Sequence, residues 1–118
     1  MQLNPVPFGG LRPVEGYGPG FFRIGGQLWE GGVLLRAETV SGWAGYDDLG
    51  PLLALAGEVD VLFVGTGAEI APLPGPFRRA LEEAGVGVEM MASPTACRSY
   101  NVTLSEGRRV AAALLPVT

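Results

Sequence analysis

The 118-residue chain predicts a small α/β domain around one mixed β-sheet. Three observations carry that prediction. Residues 60–64, Asp-Val-Leu-Phe-Val, hold a continuous apolar run of the kind covered on both faces of a sheet. In the segment after it, Phe77, Ala80, Leu81 and Ala84 recur at i, i+3, i+4 and i+7, so one helical face is apolar. A further run over 86–91 then completes a strand–helix–strand unit of about thirty residues, which folds with parallel strands and a right-handed crossover.

The elements follow in order. Residues 1–20 carry Pro5, Pro7, Pro13 and Pro19 among many glycines and predict an irregular N-terminal arm. "FFRIGGQLWEGGVLLRAE", from Phe21, holds two apolar runs around glycine pairs and reads as a hairpin or meander. Phe22, Ile24, Leu28, Val33 and Leu35 are its expected inward residues. "YDDLGPLLALAGE" predicts a short helix with Asp47 or Asp48 as its cap, Pro51 in the first turn and Gly57 past its end. On the amphipathic helix, Arg78 with Glu82 and Arg79 with Glu83 are spaced to pair on the solvent side, and Gly85 ends it. Ser93 followed by Pro94 predicts the cap of a third helix running to about Glu106. After Gly107, "RRVAAALLPV" returns as a final strand over 110–115.

Composition removes many functions before any motif is considered. At this length the chain makes one domain over 1–118, with 47% hydrophobic and 17% charged residues, so a folded core is expected. All eight basic residues are arginine, and both histidine and lysine are absent. That excludes Ser-His-Asp and Cys-His catalysis, imidazole zinc sites, Schiff bases and the P-loop lysine. A net charge of −4 argues against nucleic acid as a partner. No apolar run is long enough to span a bilayer, and no signal-peptide pattern opens the chain. One cysteine excludes an intramolecular disulfide and fits a reducing compartment, so a cytoplasmic location is expected and the Asn101-Val102-Thr103 sequon carries no weight. No cofactor is predicted. Nor is a metal, since Asp47-Asp48 lacks a third oxygen ligand nearby.

One constellation remains. The turn Gly65-Thr66-Gly67 leaves the carboxyl end of one strand, and the helix start Ser93-Pro94-Thr95-Ala96 leaves the carboxyl end of its parallel neighbour. Both open on one sheet edge, where α/β proteins place ligands, and glycine N–H groups with a helix start suit an anion. Arg98 and Asn101 lie three apart on that helix, adding a guanidinium and an amide. The expected ligand site is Gly65, Thr66, Gly67, Thr95, Arg98 and Asn101, with Tyr100 added on the same helix, holding a small phosphate or carboxylate; Tyr100 reads more readily as a packed ring with a satisfied hydroxyl. The turn reads more readily as a tight corner, because it lacks the third glycine of a dinucleotide fingerprint and precedes a proline-rich loop. Arg98 reads equally as the partner of Glu69 or Glu106 in an ion pair. Cys97 is either a small buried residue or a thiol activated by the helix start.

"LFVGTGAEIAPLP" and "GVGVEMMASPTACRSYNVTLSEGRRVAAALLPV" resemble a widespread family of small Mth-type domains of unknown function. Its eukaryotic relatives include a mitochondrial complex I (NADH:ubiquinone oxidoreductase) assembly factor and an adipogenesis-associated Mth-domain protein. The resemblance covers residues 59–117 well and the N-terminal half loosely. It implies a three-layer domain around a central mixed sheet, with the last strand antiparallel to most others. By position, the family's characteristic residues fall on Gly65, Thr66, Gly67, Thr95, Arg98, Tyr100, Asn101, Glu106 and Arg109. Ser99 stands where threonine is commoner, and Thr103 where an aliphatic is expected. Together these features point to a non-enzymatic binding or assembly module acting through a partner protein. The rival is a small-molecule enzyme or sensor using Tyr100, Glu69 or Cys97.

Overall fold

A computed structural model describes residues 10–118 and resolves two sheets and three helices among them. Strands β1 (Val14–Gly18), β2 (Phe21–Ile24) and β3 (Gln27–Glu30) form a small antiparallel meander. Strands β4 (Val33–Arg36), β5 (Thr39–Gly42), β6 (Val61–Gly65), β7 (Val88–Met91) and β8 (Val110–Leu114) form the main sheet, in the order β5-β4-β8-β6-β7. Helix α1 (Gly50–Leu53) is a single turn, α2 (Gly75–Glu83) crosses from β6 to β7, and α3 (Ser93–Ser105) crosses from β7 to β8.

The central strands are buried on both faces, and their side chains alternate between two cores. Val61 and Phe63 of β6 and Val110, Ala112 and Leu114 of β8 face α3 and the small sheet. Leu62 and Val64, with Ala111 and Ala113, face α1 and α2. Alanines on β8 let the helices approach the sheet closely; a continuous apolar run is what two covered faces require. The result is three layers: α3 with the small sheet, the main sheet, then α1 and α2.

Strands β6 and β7 are adjacent and parallel, as the strand–helix–strand pattern predicts, and β8 shares their sheet. The expected final antiparallel strand is corrected. β8 runs parallel to β6 and antiparallel only to β4, because α3 returns the chain as a crossover and not as a hairpin. Four local expectations change as well. The irregular arm gives way at Val14, where β1 pairs with β2; residues 1–9 lie outside the described residues. Leu28, expected inside, is 55% exposed, since its cross-strand partner Arg23 places it on the outer face of the meander. Neither Asp47 nor Asp48 caps α1; Asp48 Oδ2 accepts the Ala44 N–H instead, at 3.1 Å. Of the two helix-surface pairs, Arg78–Glu82 forms at 3.2 Å, and no Arg79–Glu83 pair is found among the described residues. The strand β5, which hairpins onto β4, is additional to the elements expected.

Candidate functional site

The glycine turn and the start of α3 do meet, at the carboxyl end of β6, and the chain itself fills the space between them. Thr66 N–H donates to the Met91 carbonyl at 2.9 Å, and Gly67 N–H donates to Ser93 Oγ at 3.0 Å. Ser93 Oγ donates to the Leu115 carbonyl at 2.6 Å, and Ser93 N–H donates to the Gly67 carbonyl at 2.8 Å. Thr66 Oγ1 donates to the Glu69 carbonyl at 2.7 Å and accepts the Ala71 N–H at 3.1 Å, folding the following loop back on the turn. The N–H groups of Thr66, Gly67 and Ser93, expected to help hold an anion, are thus already satisfied by protein acceptors. Ser93 is fully buried and occupies the first helical position, after Ala92; its hydroxyl ties β6 to the end of β8 rather than capping α3. A Cβ on Gly65 would stand 2.6 Å from Ser93 Oγ and 2.9 Å from Leu114 Cδ2, so this strand end admits no side chain. Gly67 has φ +106, a conformation that costs other residues heavily.

The next residues of the motif point away from the corner. Asn101 Oδ1 accepts the Val14 N–H at 2.9 Å, and its Nδ2 donates to the Val14 carbonyl at 2.8 Å. One amide side chain therefore pairs with β1 as a neighbouring strand would, and fixes the small sheet to α3. Tyr100 is fully buried in the same core, and its hydroxyl has no hydrogen-bond partner among the described residues. Burial pushes its pKa up to about 12, opposed by the Ala37 backbone beside it. Cys97 is buried too, and burial drives its thiol up to about 12 against a weaker opposing pull from Arg98. The reading of Cys97 as an activated thiol is corrected accordingly: a thiolate cannot be solvated there. At the far end of the sheet, Arg109 Nη2 meets Asp60 Oδ1 at 2.7 Å and holds that carboxyl below the usual range.

Arg98 alone of the expected set lines an open space. It pairs with neither Glu69 nor Glu106; its Nη2 reaches Thr95 Oγ1 at 3.4 Å, a long contact on the exposed face of α3. Helix α3 packs over β6 and β8, and beside it the α3-side face of β7 carries Glu89 in the open. The resulting groove, about 400 Å³, is lined by Val61, Phe63, Glu89, Arg98, Val102 and Arg108, with Ser99 and Thr103 on the helix wall. Its volume lies within the range of ligand sites, about 300–1,000 Å³. Arg98 and Arg108 enter no ion pair among the described residues, so an apolar floor here carries two uncommitted guanidinium groups opposite one carboxylate.

The seven expected ligand residues are therefore divided. Gly65, Thr66 and Gly67 build the corner, Tyr100 and Asn101 build the core and its clamp, and Thr95 and Arg98 stay at the surface. Val102, Glu89 and Arg108 were missing from the expected set. One signal marks the groove: Val102 is four residues from Arg98 and is 56% exposed, off the stripe of Ala96, Cys97, Tyr100 and Leu104 that α3 buries.

A mixed five-stranded sheet with α3 and a three-stranded meander on one face and α1 and α2 on the other defines a class of small α/β domain with a shared architecture. The family model for a protein of unknown function (DUF498/DUF598) matches residues 14–115, and the chain belongs to that family. An uncharacterised protein of Rhodobacter capsulatus is 56% identical over 117 residues, covering 99% of this chain and 94% of its own length. The NADH dehydrogenase (ubiquinone) 1 alpha subcomplex assembly factor 3 of Danio rerio is 29% identical over 110 residues, 87% of this chain. The chain spans 63% of that assembly factor's length. Among solved structures, an outer membrane protein of Bartonella henselae superposes with TM-score 0.83 and 31% identity, over 92% of this chain and 97% of that one. The Mth938-like domain of Bordetella pertussis gives 0.77 and 29%, over 98% and 92%. Among the described residues no helix is long and apolar enough to cross a membrane.

Proposed function

We propose that this domain is a non-enzymatic assembly module of the cytoplasm, which holds a partner protein of a respiratory NADH dehydrogenase through the groove beside α3. The observation that carries this reading is the groove itself: an apolar floor with Arg98 and Arg108 uncommitted, while Cys97 and Tyr100 are sealed in the core. The assembly-factor relatives supply the kind of partner, and a net charge of −4 favours protein over nucleic acid. The small anion expected near Arg98 belongs in the same groove, as a carboxylate bound by the two arginines instead of by the glycine turn.

The test is removal of the chain from its native cell, followed by native electrophoresis of membrane complexes. Assembled NADH dehydrogenase should fall, with subcomplexes accumulating, and the chain with both arginines replaced should fail to restore it. An unchanged level of assembled enzyme would refute the assembly role.

A further inference from the structure

The free edge of the main sheet bears on how a partner would be held. Among the described residues strand β7 is terminal and pairs with β6 alone. Leu62 N–H donates to the Gly87 carbonyl and Thr66 N–H to the Met91 carbonyl, so residues 87, 89 and 91 turn their backbone toward β6. The alternate residues Val88 and Met90 then turn their N–H and C=O groups outward. An unpaired strand edge is a template for another strand. Here the groove lies along that same strand, because α3 sits over β6 and β8 and leaves the Glu89 face of β7 uncovered.

From this juxtaposition, and resting on the assembly-module reading, we infer that an extended segment of the partner adds to β7 as a sixth strand of the main sheet. Main-chain hydrogen bonds run to Val88 and Met90. A strand added about 4.8 Å beyond β7 directs every second side chain to the groove side of the sheet. There an apolar side chain covers Val61, Phe63 and Val102, and an acidic one sets its carboxylate against Arg98 and Arg108. Charge selects this occupant. The groove holds two arginines against Glu89, so an acidic segment is favoured and a basic one is repelled. A second copy of the chain suits it less, since two-fold pairing of β7 with itself brings two Glu89 side chains onto one short strand pair.

Peptide display tests the inference. A random peptide library is selected against the full chain, and the enriched peptides are measured by fluorescence anisotropy on the parent and on the Arg98→Gln/Arg108→Gln double variant. Both positions are exposed, so the variant keeps its fold, which an unchanged melting temperature verifies. The expected peptides alternate apolar and acidic residues and lose roughly tenfold or more in affinity on the double variant. N-methylation of alternate backbone nitrogens along one edge of the peptide should abolish binding, and along the other edge leave it intact.

Peptides indifferent to the arginines, or to N-methylation on either edge, overturn strand addition here; so does a selection that enriches nothing. A groove that responds to octanoate but to no peptide makes the occupant a small carboxylate instead, and a dimer that the double variant dissociates makes it a second copy. Each of these leaves the assembly role standing if assembled NADH dehydrogenase still depends on the chain. Loss of that dependence, with peptide binding intact, removes the role and keeps the site.

Discussion

The two ends of the α3 crossover meet opposite fates. At the corner, glycine N–H groups, a buried hydroxyl and a helix start converge as they do in anion sites, and the Thr66, Gly67 and Ser93 donors have protein acceptors. Along the groove, no glycine turn or helix start gathers backbone donors, yet two guanidinium groups stand over apolar surface with no ion-pair partner among the described residues. Convergence of donors at the carboxyl end of parallel strands is thus not sufficient for binding. What matters is whether the chain has supplied its own acceptor. Here Ser93 and Leu115 do so, and the arginines of the groove are left without an ion pair among the described residues.

The sharpest way to break this contrast is to disturb the corner. Gly65→Val places a side chain against Ser93 and Leu114 with nowhere to move, and should cost about 3 kcal/mol in denaturant unfolding, a large share of the fold's stability. Ser93→Ala leaves the Gly67 N–H and the Leu115 carbonyl unpaired, and about 2 kcal/mol of lost stability is expected. Asn101→Ala should cost a similar amount by releasing both backbone groups of Val14, with hydrogen exchange at Val14 accelerated ahead of the rest of the small sheet.

Alkaline titration probes the sealed side of α3. The Cys97 thiol is raised from 9.0 to about 12 in the fold, so the unfolded chain loses that proton first. Its contribution to stability is fully present below about pH 9 and is lost as pH rises toward about 12; the raised Tyr100 hydroxyl acts in the same direction. Stability measured by urea unfolding should therefore decline across that window, and iodoacetamide at neutral pH should label native Cys97 only as fast as the protein opens. The smallest effect belongs to the groove. Arg98→Gln and Arg108→Gln should each change stability by less than about 0.5 kcal/mol, because exposed groups outside any ion pair contribute little. A large loss from either would mean that the groove is structural as well.

Strong periodicity made most of the main sheet legible. The apolar run of β6 and the helical spacing of Phe77 and Leu81 placed β6, α2 and β7 in parallel, and the glycines around Ile24 and Gln27 announced a hairpin. The small sheet was harder to read, because Val14 to Gly18 is interrupted by glycines and Val14 is held by the Asn101 clamp, 87 residues away. Leu28 was misplaced since a four-residue strand edged by glycines fixes no face by itself. The site was legible only in part for a similar reason. Sequence placed the turn and the helix start together, but whether Ser93 Oγ serves the helix or the strand end depends on where Leu115 comes to rest. Which arginines remain unpaired is likewise a property of the assembled surface, not of spacing.

Native-state hydrogen exchange, read residue by residue on the free chain, tests the contrast most directly. The Gly67 amide, held by Ser93 Oγ, should exchange only through global unfolding, whereas the outward amides of Val88 and Met90 should exchange by a far cheaper local route. Addition of phosphate or acetate should leave Gly67 unchanged. Fast exchange at Gly67 that either anion suppresses, with Val88 and Met90 already protected, would contradict the account: the corner would then be the binding site, and the edge of β7 closed.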